Sequence, residues 1–348
     1  MRPVGLINRL LYDENMNIIL ISLIATPLIY LVIALFLVFF PFKRVLPEKS
    51  LDFDVLNVDA ISNSITIEKH FLARDGSEIF YRYLPGKSNV IIVLIHGSGT
   101  EGRYLLPLAE KLNSLLNISV VLPDLRGHGK SALKNRGDTD YLGQLEHDLE
   151  DLKKDITSNY SNSKVILGGH SSGGGLVVKY GGSDLQEFDG YILLAPYLGY
   201  NAPTVRPNSG GWVQVAQARY AGLAMLNKVG IKILNYLPVL FFNRPEAIDD
   251  ELQAEIYSYR MNESFSPQSY ATDLKENDKP ILALVGENDE AFYADKFEQV
   301  FSENASHTEL KLVQNAKHLD LPNLQESVDI MVVWLEKSYN KALQRTSN

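Results

Sequence analysis

The stretch Lys164-Val165-Ile166-Leu167-Gly168-Gly169-His170-Ser171-Ser172-Gly173-Gly174 decides the fold. A short apolar run closed by glycines reads as a buried strand, and Gly173–Tyr180 beyond it carries a helical pattern. Gly169-x-Ser171-x-Gly173 between a strand and a helix is an elbow. The flanking glycines let the chain turn sharply, and the serine sits strained at the tip with its hydroxyl exposed at the helix N-terminus. A glycine-rich helix start is the plainer alternative, and the strand–turn–helix context disfavours it.

Outward from this elbow the same alternation continues. Ile65–Ala73 and Glu78–Leu84 flank the hairpin turn signal Asp75-Gly76. Further strands are expected at Asn89–Ile95, Ser119–Leu122, Gly190–Leu194, Pro280–Val285 and Glu309–Val313. Helical patterns at Tyr104–Leu115, Leu142–Ile156, Ala294–Phe301 and Leu324–Leu343 lie between or after them. Buried strands alternating with helices predict an α/β protein with a mostly parallel, doubly wound sheet. Residues 201–275 break the rhythm: they hold no clear strand and are rich in large apolar groups such as Trp212, Leu223, Met225 and Ile231. An insertion of that length predicts a helical cap.

In open α/β sheets reactive groups gather outside the carboxyl ends of the strands. A serine hydroxyl needs a base there. Of the seven histidines, His70 falls in the first hairpin, His147 in a helix, and His307 before the last strand. His170 at the elbow should point away from Ser171. His318 follows the last strand, on the side of Ser171, and is the candidate base. Its cation requires a carboxylate. The run Gly286-Glu287-Asn288-Asp289-Glu290 follows the strand at 280–285 and presents Asp289, with Glu287, Glu290 and Asp320 as competitors. The chain order Ser171, Asp289, His318 is that of an elbow-bearing sheet. Donors for an oxyanion are expected from the backbone amides of Ser98 and Ser172, with Gly97 permitting close approach and His96 bracing the loop.

Together, His96-Gly97-Ser98-Gly99-Thr100-Glu101-Gly102-Arg103-Tyr104, Asp124-Leu125-Arg126-Gly127-His128-Gly129-Lys130-Ser131, Gly169-His170-Ser171-Ser172-Gly173-Gly174, Gly286-Glu287-Asn288-Asp289 and His318 resemble successive signatures of the α/β-hydrolase superfamily. The Gly102-Arg103-Tyr104 run is similar to its monoacylglycerol lipase, lysophospholipase and serine aminopeptidase-like branch. The resemblance covers roughly residues 64–340 and implies an α/β-hydrolase fold with the cap inserted after the strand ending near Leu194. It also implies a mainly structural role for Asp124, Arg126 and His128.

The rest of the composition sets boundaries. The chain has 348 residues, no cysteine and a net charge of −9. Cysteine nucleophiles, thiolate metal sites and disulfides are thereby excluded, and nucleic acid is disfavoured as a partner. Between Glu14 and Lys43 there is no charged residue, and Ile18–Phe40 is almost wholly apolar. As a helix kinked at Pro27 this run spans roughly 35 Å, enough for a bilayer core. It lacks the short core and small-residue cleavage site of a signal peptide. The expected organisation is a flank (1–17), a single transmembrane anchor (18–42), a linker (43–63), the first part of the hydrolase core (64–200), the cap (201–275) and the second part of the core (276–348). Basic residues flank both ends of the anchor similarly, so its orientation stays open.

The function expected from these features is a membrane-anchored serine hydrolase of carboxylic esters, lipid esters first, working through a Ser171–His318–Asp289 triad without metal or organic cofactor. An amide or peptide hydrolase is the alternative. It would call on a cap cluster such as Glu246, Asp249, Asp250 and Glu251 to bind an amine. An inactive binding module is disfavoured because no member of the constellation is missing.

Overall fold

The computed structural model describes residues 4–45, 51, 66–132, 136–244 and 251–344, with the side chains of the N-terminal helix described at Met16 and from Ser22 onward. Helix α1 (Val4–Val38) comes first, with Pro27 inside it. A hairpin follows, β1 (Ile67–Leu72) and β2 (Glu78–Leu84), paired antiparallel about the expected Asp75-Gly76 turn, where Gly76 has a φ of 83°. Then come β3 (Val90–Ile95), α2 (Leu106–Leu116), β4 (Ser119–Pro123), α3 (Gln144–Asn159), β5 (Lys164–His170), α4 (Ser172–Gly181) and β6 (Gly190–Leu194). After the cap the chain continues through β10 (Ile281–Gly286), α8 (Phe297–Asn304), β11 (Glu309–Val313) and α9 (Gln325–Leu343).

These strands form one eight-stranded sheet in the order β1-β2-β4-β3-β5-β6-β10-β11. All pairings from β4 to β11 are parallel, and the antiparallel hairpin closes one edge. Strands β3 and β10, each flanked on both sides by other strands, are buried along their whole length, as strands covered on both faces must be. Val90–Ile95 and Ile281–Val285 accordingly carry almost no polar side chain. The chain reverses its direction of winding between β3 and β5, so the carboxyl ends of these strands open onto a crevice.

Between β6 and β10 lies the cap, and here the helical expectation for 201–275 is corrected. Helices α5 (Gln217–Lys228), α6 (Tyr259–Phe265) and α7 (Tyr270–Glu276) are present. They are joined by a three-stranded antiparallel sheet, β7 (Val213–Val215), β8 (Pro238–Phe242) and β9 (Ile256–Ser258). Two of these strands have three residues each, too few to show a period, and their pairing bridges long sequence separations. Only tertiary contact makes them strands.

The expected anchor, 18–42, falls on α1 and the residues just after it. Among the described residues no helix is long and apolar enough to cross a membrane. The expected linker, 43–63, lies outside the described residues except for 43–45 and Leu51, which is buried against the core. The C-terminal half of α1 packs on the cap: Ala34 and Val38 join Leu223, Leu226, Val239 and Tyr259 in a cluster of their own.

Candidate active site

Ser171 sits between β5 and α4 with φ 56° and ψ −120°, a conformation that costs an L-residue energy and survives only where its surroundings impose it. The imposition comes from packing. A Cβ on Gly173 would lie 2.5 Å from the carbonyl oxygen of His96, so only glycine lets α4 start against the β3 loop. Ser171 N–H donates to Leu194 O at 2.9 Å, which ties the elbow to the neighbouring strand.

Two loops at the carboxyl ends of β10 and β11 converge on this serine. His318 Nε2 lies 3.0 Å from Ser171 Oγ, and His318 Nδ1 lies 2.8 Å from Asp289 Oδ2. A carboxylate on Nδ1 requires the proton there, which leaves Nε2 as the acceptor for the serine O–H. Asp289 is 2% exposed, and its other oxygen accepts the backbone N–H groups of Ala291 and Phe292 at 2.8 Å each. Burial alone would make the His318 cation costly. The Asp289 carboxylate, with Glu290 behind it, outweighs burial, and the pKa of His318 is raised above its ordinary value of 6.5.

The three competing carboxylates are engaged elsewhere. Glu290 Oε2 accepts His318 N–H at 2.9 Å, holding the backbone rather than the ring. Asp320 accepts Lys317 N–H, and Glu287 accepts Asn315 N–H. The structure therefore brings Ser171, His318 and Asp289 together and leaves the others as loop braces. His96 braces the loop after β3. Its Nε2 accepts Leu125 N–H at 3.1 Å, so its Nδ1–H faces Gly97 O at 2.9 Å. Asp124 and Arg126 are ion-paired beneath the same loops, with Arg82 at 2.6 Å and Asp148 at 2.8 Å respectively.

Two tyrosines that the sequence reading did not single out hold the β3 loop. Tyr104 Oη accepts Gly97 N–H at 2.7 Å and its O–H faces His170 Nδ1 at 2.9 Å; His170 Nε2 then meets His318 O at 3.1 Å. A single hydrogen-bonded line thus joins the β3 loop, the elbow and the histidine loop. Tyr257, on cap strand β9, accepts Gly99 N–H at 2.8 Å and donates to His128 Nε2. Burial pushes both phenols above their ordinary range, so they act as neutral hydrogen-bonding groups. Tyr104 stood within the quoted Gly-Arg-Tyr run; Tyr257 had no local signal. The Ser98 hydroxyl accepts the indole N–H of Trp212 at 3.2 Å, a further link from loop to cap.

Ser98, Ser171, Ser172 and His318 lie on the wall of a cavity of about 530 Å³ between sheet and cap. Its other walls are largely aromatic and aliphatic, among them Trp212, Val213, Leu240 and Phe265. Among the described residues its lining contains no carboxylate; Arg206 is its one permanently charged side chain. Of the acidic cluster considered for amine binding, Glu246, Asp249 and Asp250 lie outside the described residues, and Glu251 is exposed. No group of residues suited to hold a metal ion occurs among the described residues.

The family described as serine aminopeptidase, S33, matches residues 86–323. Among curated relatives, a proline iminopeptidase of Saccharolobus solfataricus is 33% identical over 132 residues, covering 37% of this chain and 41% of that protein. A monoglyceride lipase of Rattus norvegicus is 28% identical over 164 residues, covering 45% of this chain and 50% of that protein. The matched stretches thus span half or less of those relatives' lengths. A solved structure of a soluble variant of monoglyceride lipase from Saccharomyces cerevisiae, in complex with a substrate analogue, superposes with a TM-score of 0.62 at 19% identity. It covers 82% of this chain and 98% of that one. At that identity the superposition establishes the fold.

Proposed function

The chain belongs to the serine aminopeptidase S33 family of the α/β-hydrolase superfamily, and from that premise we propose that it is a serine hydrolase of carboxylic esters. Ser171 Oγ attacks the ester carbonyl and gives its proton to His318 Nε2. Asp289 holds the imidazolium that results. The amides of Ser98 and Ser172 receive the oxyanion, and the proton passes from His318 to the departing alcohol. Water then enters by the same route in reverse and frees the acid from the acyl-enzyme. The observation that carries this reading is the pair of contacts at 3.0 and 2.8 Å joining Ser171, His318 and Asp289. No step requires a metal or organic cofactor.

The chemistry of the cavity supports an ester with an apolar acyl chain, of the monoacylglycerol or lysophospholipid kind. An aminopeptidase must desolvate a substrate ammonium, which needs a carboxylate in the pocket; the described lining offers none and places Arg206 there instead. The apolar run Ile18–Phe40 supports an N-terminal membrane anchor beside such a substrate.

A fluorophosphonate probe tests the nucleophile. The protein should label, and Ser171→Ala should not; labelling that persists in that variant overturns the assignment. A panel of p-nitrophenyl esters, monoacylglycerols, lysophospholipids and aminoacyl amides then tests the substrate class. Turnover confined to the amides would overturn the ester reading.

A further inference from the structure

The first part of the cap differs from the rest of the chain in charge. Between Asp189 and Glu246 there is no carboxylate, whereas Arg206, Arg219, Lys228, Lys232 and Arg244 all fall there, in a protein whose net charge is −9. Lys228 and Lys232 are exposed and make no ion pair among the described residues. They interleave with Val229, Ile231, Ile233 and Tyr236, which are 53%, 36%, 80% and 53% exposed. A projecting loop of exposed apolar and basic side chains in alternation is poorly suited to water and well suited to a headgroup boundary.

Helix α1 extends the same surface. Leu31, Ala34 and Val38 face α5, where a Cβ on Gly222 would lie 2.5 Å from Ala34 O, so the two backbones nearly touch. Arg219 on α5 donates to Val38 O at 3.2 Å, and Tyr30 on α1 donates to Met225 O at 2.9 Å. Among the described side chains of α1 this interface covers one stripe. Leu28, Ile29, Val32, Phe36 and Phe39 on the remainder are 58–64% exposed. From Ile18 to Val38 this helix carries no charged residue, and an apolar face of that kind left unpacked needs an apolar partner. The cavity opens beside this region: Tyr200, a lining residue 77% exposed, lies 6.2 Å ring to ring from Tyr220 on α5.

We propose that the face built from the exposed side of α1 and the segment Lys228–Tyr236 is a docking surface for an anionic lipid bilayer. Val229, Ile231, Ile233 and Tyr236 enter the headgroup–acyl boundary, Lys228 and Lys232 meet acidic headgroups, and the cavity mouth at Tyr200 is held at the membrane. Delivery of substrate from the bilayer rests on the lipid-ester reading above; docking itself does not. The bilayer is favoured over a second copy of this chain because the surface is cationic as well as apolar, and two such faces repel.

The absence of cysteine makes the test clean. The full-length protein, carrying a bimane label on Ile233→Cys, is reconstituted into vesicles of phosphatidylcholine with and without phosphatidylserine, each also prepared with brominated acyl chains as quencher. A label on Leu115→Cys, 56% exposed on α2, serves as the reference. The label at 233 should be quenched and that at 115 should not, with more quenching when phosphatidylserine is present. Reversing both charges, Lys228→Glu with Lys232→Glu, should lower the ratio of docked to undocked cap by at least about fivefold per lysine. Hydrolysis of a water-soluble p-nitrophenyl ester should be unchanged by that pair, which separates a failure of docking from a failure of the catalytic reading. Quenching at 233 no greater than at 115, or quenching that ignores both phosphatidylserine and the charge reversal, overturns the proposal. So does quenching by label-to-label contact in lipid-free micelles, which would identify a second copy as the occupant.

Discussion

The crevice of the sheet and the cap above it are built by opposite routes. At the crevice, each candidate group stands at the end of a strand or at the turn just after it. Ser171 follows β5, Asp289 follows β10, His318 follows β11 and Ser98 follows β3. Parallel strands in register bring those ends together whatever the loops do beyond them. In the cap, by contrast, the contacts that matter join segments far apart in the chain, such as Tyr257 to Gly99, Trp212 to Ser98 and Gly222 to Ala34. The first arrangement is rigid and chemical. The second shapes the wall over it and, through Tyr257, also holds the β3 loop of the crevice in place.

That contrast can be broken or sharpened in order of expected effect. Ser171→Ala should lower kcat on any ester by about 10⁴-fold or more, measured on a water-soluble p-nitrophenyl ester. Asp289→Asn should cost on the order of 10⁴ in kcat by spoiling the histidine tautomer. Asp320→Asn, which removes only a loop brace, should leave kcat nearly unchanged. A reversed ranking would move the acid and dissolve the strand-end pattern.

The pH profile offers a subtler test of the same crevice. His318 must be neutral at Nε2 to act as base, and its pKa is raised by Asp289 against the effect of burial. The acid limb of kcat/KM should therefore fall as pH drops through a value above 6.5. With the carboxylate removed in Asp289→Asn, the limb of the residual activity should move to lower pH. An unmoved limb would mean that another group titrates.

Two changes probe the cap. Tyr257→Phe leaves the buried Gly99 N–H and His128 Nε2 without a partner, a penalty of about 1–3 kcal/mol. A fall of roughly tenfold in kcat/KM on soluble and lipid esters alike is expected for a loss of that order. An effect confined to lipid esters would show that the cap does not support the β3 loop. The smallest effect on chemistry is expected from Gly222→Leu, which forces α1 away from α5. It should make α1 easier to release by limited proteolysis and raise KM for lipid esters, while kcat on the p-nitrophenyl ester stays within about twofold.

How much of this was legible beforehand follows the same division. The strands around the site have the simplest signal a sequence offers, buried apolar runs such as Val90–Ile95 closed by glycine. The elbow announces itself because Ser171 adopts a positive φ that its neighbouring glycines must accommodate. Choosing Asp289 over Glu287 and Glu290 rested on the turn after β10. Adjacent residues in one turn diverge, and here Glu290 bonds to the His318 backbone while Asp289 meets its ring. The cap sheet was missed because β7 and β9 are three residues long and gain their conformation from partners elsewhere.

By itself, then, the sequence determined the winding of the sheet, the residue types at its strand ends and the apolar character of Ile18–Phe40, because periodicity, glycine placement and hydropathy are local properties. Only the tertiary structure decided that Tyr257 and Trp212 reach from the cap into the β3 loop. It also decided that α1 lies against α5 and that the cavity lining carries a cation and no described carboxylate. Those features depend on which distant segments come within a few ångströms of each other. No local pattern encodes that proximity, since the hydrophobic effect that drives it is non-directional.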